Sequence, residues 1–155
     1  MRAGLFVYGT LMAPEVLNAL LHRVPSKRSA VLQGHSRYTV KDYSFPAIVC
    51  DDDSAAVEGM LLEDLSEREM KALDFYEDEA YERLDVMVSV RSADGGNEEA
   101  AAMAYVWPLS EKHLLDVGKT WDYEAWRNEK MSDFVKHVVI PCAEEFELTM
   151  RIQEQ

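Results

Sequence analysis

Two cysteines in 155 residues, Cys50 and Cys142, are too few for a disulfide-stapled scaffold, and they stand far apart. They read as reduced, mostly buried thiols of a cytosolic protein. Positive charge is also scarce: 16 Lys and Arg face 29 Asp and Glu, a formal net charge of −13. So negative a surface argues against phosphate backbones and anionic lipids, so neither nucleic acid nor membrane is expected as a partner. No stretch approaches the roughly 18 consecutive apolar residues of a membrane span. Residues 1–17 hold one basic residue and no apolar run long enough for a secretory leader, and they read as a strand running into a helix. No Asn-x-Ser/Thr acceptor, Gly-x-Gly-x-x-Gly fingerprint or P-loop occurs. His22, His35, His113 and His137 have no metal-ligand spacing to one another or to the cysteines. Asp51-Asp52-Asp53 lacks the alternation and glycine of a calcium loop and reads as a solvated turn. No metal and no cofactor is expected, and the location expected is cytoplasmic.

What is present is core material. Apolar residues make up 48% of the chain, with three Trp, seven Tyr and five Phe, so the composition is that of a folded globule. The length suits a single domain over 1–155. Gly4 to Tyr8 is a short apolar run stopped by Gly9-Thr10, a strand feeding a turn. Ala13 to Leu21 follows as a helix, with Pro14 near its start and Val16, Leu17, Leu20 and Leu21 on one face. Val31 to Val49 is strand-like, interrupted by Gly34 and Pro46, and Val57 to Leu62 is another strand. Ser66-Glu67-Arg68-Glu69 has capping-box spacing, which starts a helix ending near Tyr76 or Glu77. Glu82 to Val90 alternates, with Leu84, Val86, Val88 and Val90 on one face, and Ala100 to Trp107 returns after the turn at Ala93 to Asn97. Beyond Pro108, Asp122 caps a helix carrying Tyr123, Trp126, Phe134 and Val138, and Pro141 is expected to restart a second one. Strands first, one helix in the middle and helices last make the fold class α+β, with a largely antiparallel or mixed sheet.

Two places stand out chemically. In the helix from Ser66 the inward face passes through Met70 and Leu73, and four residues further on that face lies Glu77. A carboxylate where a leucine is expected loses hydration, which raises its pKa from about 4.3 towards general-base range. If the helix stops earlier, Glu77 is a solvated turn residue instead. The second place is the turn Tyr8-Gly9-Thr10-Leu11-Met12. A glycine there lets successive backbone N–H groups converge on an anion, and the following helix adds its positive end. Taken alone, the same segment is an ordinary strand-to-helix turn.

Together, and in this order, the two places resemble the γ-glutamylcyclotransferase-like family. That family opens with a strand into Tyr-Gly-Ser/Thr, as in Val7-Tyr8-Gly9-Thr10-Leu11. Its middle carries Pro-Ala and a Gly-x-Leu/Met strand, as in Phe45-Pro46-Ala47-Ile48 and Val57-Glu58-Gly59-Met60-Leu61. Leu73-Asp74-Phe75-Tyr76-Glu77 followed by Tyr81-Glu82-Arg83 matches its key element, and Ala104-Tyr105-Val106-Trp107 its late strand. The match spans about residues 4–108. The tail, about 121–155 with Trp121, Trp126 and Phe134, looks like the helical extension of the plant avirulence-induced branch. Those three aromatics read as packing before they read as a ligand cage.

The resemblance implies a small mixed β-barrel of about six strands flanked by helices, with a C-terminal helical extension and the site at the barrel mouth. It implies a small-molecule γ-glutamyl substrate, with Glu77 as catalytic base and with Tyr8, Gly9, Thr10, Leu11, Met12, Tyr81 and Tyr105 binding it. The chemistry implied is cleavage of a γ-glutamyl amine or peptide, or of a capped biosynthetic intermediate, to 5-oxoproline. A non-catalytic sensor of an amino-acid-like ligand is the alternative. One departure bears on both. The family places Gly after the catalytic Glu, and here Asp78 stands there. Asp tolerates a left-handed backbone better than most residues, so the turn is expected to survive. Asp78 and Glu79 together are expected to raise the pKa of Glu77 further and to oppose the substrate's carboxylate.

Overall fold

The first strand reads as continuously apolar because both of its faces are covered. The computed structural model describes residues 3–78 and 80–154. In it, strand β1 (Ala3–Val7) sends Leu5 and Val7 outward beneath helices and Phe6 into a barrel interior that Tyr8 also enters. Each such fully buried side chain contributes roughly 1.5–3 kcal/mol. A 3-10 turn (Thr10–Met12) leads to α1 (Pro14–Leu21), whose Val16, Leu17, Leu20 and Leu21 are all buried. Strands β2 (Lys27–Gln33), β3 (Ser36–Val40), β4 (Pro46–Val49) and β5 (Ala56–Leu65) follow. Helix α2 (Glu67–Glu77) opens on the expected capping box: Glu69 N–H donates to Ser66 Oγ at 3.1 Å and Ser66 N–H to Glu69 Oε1 at 2.9 Å. Strands β6 (Glu82–Arg91) and β7 (Asn97–Val106) form the hairpin, and β8 (Leu115–Asp116) is a two-residue strand.

The barrel has five strands in the order β1-β5-β2-β6-β7, one fewer than expected. It closes through a parallel pairing of β1 with β7, Leu5 opposite Met103 and Phe6 opposite Ala104, while its other neighbours are antiparallel. The missing strand material forms a separate sheet, β4-β3-β8. The cause lies in the two interruptions of the 31–49 segment. Gly34, at φ 81°, turns the chain out of the barrel. Pro46 has no N–H to donate and opens the edge strand of the small sheet, where none is missed. That sheet is tied to the barrel by Trp107 N–H donating to the Ile48 carbonyl at 2.8 Å.

Three other expectations change. Along β6, Val88 and Val90 are buried but Leu84 is 43% exposed. Only the end of β6 near Val90 pairs with β2, so the face opens to solvent where β7 is its one partner. Pro141 does not restart a helix. After α3 (Tyr123–Glu129) and α4 (Met131–Phe134), a π-helical stretch (Val135–Val139) passes directly into α5 (Ile140–Gln153). The wider turn accommodates the proline, which would otherwise break the ladder. Cys50 is exposed and Cys142 partly buried, so only the second approaches the expected buried thiol. Among the described residues, no helix is long and apolar enough to cross a membrane.

Candidate functional site

The end of β1, the C-terminus of α2, the return strand β7, the β3–β4 loop and the tail converge on one cavity of about 1340 Å³. Tyr8, Gly9, Thr10, Leu11, Glu77, Tyr81 and Tyr105 all line it. Met12, expected with them, does not. Its side chain is buried in the core beneath α1, and its N–H is spent on the Gly9 carbonyl at 3.0 Å. The first residues of the 3-10 turn, Thr10 and Leu11, are the ones whose N–H groups the turn leaves without an acceptor of its own.

Gly9 has a reason for being glycine that differs from the expected one. Its φ of −135° lies outside the left-handed region. What glycine supplies is room, since a Cβ here would stand 2.7 Å from Pro46 Cγ and 3.0 Å from Cδ. The turn is held from behind by Arg37, whose guanidinium donates to the Tyr8 carbonyl at 2.8 Å.

Glu77 occupies the last position of α2, one turn beyond Leu73, as helical phase predicts. Its carboxylate has no hydrogen-bond or salt-bridge partner among the described residues. Burial pushes its pKa up to about 8. Part of its surface remains accessible, through the cavity it lines. The neighbouring Tyr76 hydroxyl shares a 2.7 Å hydrogen bond with Thr10 Oγ1, which couples the end of α2 to the turn after β1. Sequence reading passed over Tyr76. Its position beside Glu77 was visible, but nothing local links it to a threonine 66 residues earlier.

The tyrosine rings are set by bonds to the protein itself. Tyr8 donates to the Tyr105 carbonyl at 2.6 Å. Tyr105 donates to Asp74 Oδ1 at 2.7 Å, and Asp74 Oδ2 receives Arg83 at 2.5 Å. Tyr81 donates to the Pro46 carbonyl at 2.9 Å and meets Trp107 edge-on, with ring centroids 5.3 Å apart. Burial raises the pKa of Tyr8, Tyr81 and Tyr105, so all three are neutral phenols over the physiological range. Tyr81 and Tyr105 line the cavity as expected of binding residues, but their hydroxyl protons are committed to protein acceptors, so what they offer is the packing surface of their rings. Asp74 is occupied by two donors and does not line the cavity. Trp121, Trp126 and Phe134 of the tail both pack on the core and face the cavity. Among the described residues no group of three or more His, Cys, Asp or Glu is placed to hold a metal ion.

The model of the family described as "Gamma-glutamyl cyclotransferase, AIG2-like" matches residues 5–128. The chain belongs to this family. It is similar to AIG2-like protein C of Arabidopsis thaliana, 39% identical over 84% of this chain and 73% of that one. A solution structure from Arabidopsis thaliana superposes with a TM-score of 0.65 at 29% identity, covering 100% of this chain and 86% of that one. The likeness to a yeast γ-glutamyl cyclotransferase specific to glutathione is one of fold, at TM-score 0.52 and 10% identity over 94% and 96% of the two chains.

Against that family background Asp78 stands out further in the structure. Its φ of 62° and ψ of −166° lie outside the left-handed helical well that Asp tolerates, in a region that is essentially glycine's alone. The turn survives, but under strain. Nor is Asp78 a cause of the raised Glu77 pKa: among the described residues the cause is burial. Glu79, expected to act with it, lies outside the described residues. Asp78→Gly is therefore expected to stabilise the protein by about 1–2 kcal/mol, strain relief exceeding the entropy that glycine costs. Urea unfolding would show this as a higher midpoint at unchanged slope, and an unchanged midpoint would refute it.

Proposed function

We propose that this chain cleaves γ-glutamyl amines or peptides to 5-oxoproline and a free amine or amino acid, with Glu77 as general base. The observation that carries the reading is an unpartnered carboxylate at the end of α2, raised to about pKa 8, in a cavity whose wall includes Gly9 to Leu11. The substrate's α-carboxylate is held by the N–H groups of Thr10 and Leu11. Its α-ammonium faces Glu77. Glu77 takes one proton, and the freed nitrogen attacks the side-chain amide carbon to close a five-membered ring. As the tetrahedral adduct collapses, Glu77 returns that proton to the leaving nitrogen and the C–N bond to it breaks. The ring nitrogen passes its second proton through Glu77 to the departing amine, which leaves as an ammonium. No water is consumed. Because the attack is intramolecular, well-oriented effective molarities of about 10⁵–10⁸ M come from geometry. The neutral tyrosines Tyr8, Tyr81 and Tyr105 wall the reacting centre without competing for the proton.

The decisive experiment incubates the protein with a panel of γ-glutamyl compounds and measures 5-oxoproline. Binding without release would favour the sensor. The pH dependence adds a second test. Glu77 acts only when deprotonated, and the substrate donates only while its α-ammonium, of pKa about 8, keeps its proton. The value of kcat/KM should therefore climb about tenfold per pH unit below 8, peak near 8 and fall above it. A profile flat from pH 6 to 8 would mean a base of ordinary carboxylate pKa and would overturn the raised pKa assigned to Glu77.

A further inference from the structure

Arg37 is a charged side chain without a charged partner. It stands half-buried in β3, and among the described residues no carboxylate lies within ion-pairing distance of its guanidinium. One guanidinium nitrogen donates instead to two backbone carbonyls, Tyr8 at 2.8 Å and Glu58 at 3.2 Å. The guanidinium carbon lies 5.9 Å from the centre of the Trp121 ring, whose own N–H is fixed on the Ser44 carbonyl at 2.7 Å. Glu58 belongs to β5, so the group is held between the barrel, the turn after β1 and the tail. Charges withdrawn from water are ordinarily paired, and this one spends its hydrogen bonds on the backbone beside the cavity.

The Tyr8–Gly9 peptide is what its shorter bond controls. Among the described residues no peptide bond is cis, and in a planar trans peptide the carbonyl and the following N–H point in opposite directions. Arg37 does not line the cavity, whereas Tyr8 and Gly9 do. With the Tyr8 carbonyl drawn to the guanidinium, the Gly9 N–H is turned away from it. Among the described residues that N–H has no acceptor. Tyr8 is also fixed at its far end, where its hydroxyl donates to the Tyr105 carbonyl at 2.6 Å.

Resting on the cyclotransferase reading, we infer that Arg37 is a positioning residue that aims the Gly9 N–H at the substrate's α-carboxylate. Gly9 is then a third donor beside Thr10 and Leu11. The guanidinium acts through the peptide and does not touch the substrate. Its charge also favours an anion at this turn, in a protein whose net charge of −13 otherwise opposes one.

The test compares 5-oxoproline with 2-pyrrolidinone, the same ring without its carboxylate. In wild-type protein followed by NMR, 5-oxoproline should move the Gly9 amide proton downfield and 2-pyrrolidinone should not. A Gly9 resonance that ignores both, or follows both alike, overturns the inference whether or not any variant folds. Calorimetric Kd values for the pair measure what the carboxylate contributes. Arg37→Met should shrink that preference about 10–100-fold, the worth of one hydrogen bond to a charged group, and leave 2-pyrrolidinone affinity unchanged. Arg37→Lys keeps the charge as a point donor and should retain part of the preference. With γ-glutamyl ethylamide the loss should fall on KM with kcat little changed, because the contact serves ground state and transition state alike. A merely structural role would weaken both ligands together. A folded Arg37→Met protein with the wild-type preference overturns the inference and leaves the cyclotransferase reading intact. If no γ-glutamyl compound yields 5-oxoproline, the cyclotransferase reading fails, and the Gly9 titration then judges Arg37 alone.

Discussion

Replacing Glu77 by Gln is expected to reduce 5-oxoproline release by about 10²–10⁴-fold, the range a general base contributes. Gln keeps the shape and an acceptor oxygen but takes no proton at neutral pH. Asp74, one turn earlier, is held by Arg83 and Tyr105 and does not line the cavity. Tyr8, Tyr81 and Tyr105 have pKa values raised by burial and hold their protons. Binding of the γ-glutamyl compound should persist, weakened by loss of the charge opposite the α-ammonium. A Gln variant that turns over like wild type would end the central argument.

The same substitution should make the protein more stable at alkaline pH. Burial raises the folded-state pKa of Glu77 from 4.5 to about 8. Between those values the folded state keeps a proton that the unfolded chain has released, so this residue's contribution to stability falls as pH rises from 4.5 to 8. Above 8 the folded protein carries an unpaired, poorly hydrated charge that Gln does not have. Glu77→Gln is thus expected to gain about 1–3 kcal/mol at pH 8.5, a gain that closes towards pH 4.5. Urea unfolding at the two pH values measures it, and an equal difference at both would point to a cause other than ionisation.

Gly9→Ala carries the second large effect. The new methyl meets the stiff Pro46 ring at 2.7 Å, so either the turn after β1 or the start of β4 must move. If Pro46 moves, its carbonyl carries the Tyr81 hydroxyl with it. If the turn moves, the N–H groups of Thr10 and Leu11 leave the position proposed for the α-carboxylate. Overpacking of this kind costs about 1–3 kcal/mol of stability. A displacement of about 1 Å at a positioning element costs on the order of 10²-fold in rate. The drop in kcat/KM should appear mainly as a higher KM, because the α-carboxylate contact serves ground state and transition state alike. A folded Gly9→Ala protein with wild-type KM would show that the turn does not hold the substrate.

Features that depend on neighbours in the chain were readable from the chain. Ser66 and Glu69 marked the start of α2, Met70 and Leu73 set its inward face, and Glu77 followed four residues on. The alternation of Val88 and Val90 and the turn between β6 and β7 marked the hairpin in the same way. Val16, Leu17, Leu20 and Leu21 likewise identified the buried side of α1. In each case a period of 3.6 or 2 ties residue spacing to one face of one element, and burial follows.

What tertiary structure alone decided involves partners far apart in sequence. Five barrel strands rather than six, Arg83 and Tyr105 meeting on Asp74, and Tyr76 bonding to Thr10 are all choices among long-range pairings. No spacing rule encodes them, because they follow from burying the most apolar surface while leaving the fewest polar groups unmatched. Trp126 shows the division most clearly. Its helical spacing made it a packing residue, which it is, but only the assembled tail, barrel and small sheet left its N–H buried without an acceptor. Local spacing was enough for the start of α2, the buried faces of α1 and α2, the β6–β7 hairpin and the phase of Glu77. The assembled fold decided which distant groups meet and which are left unpaired, because a hydrogen bond depends on where both of its ends come to rest.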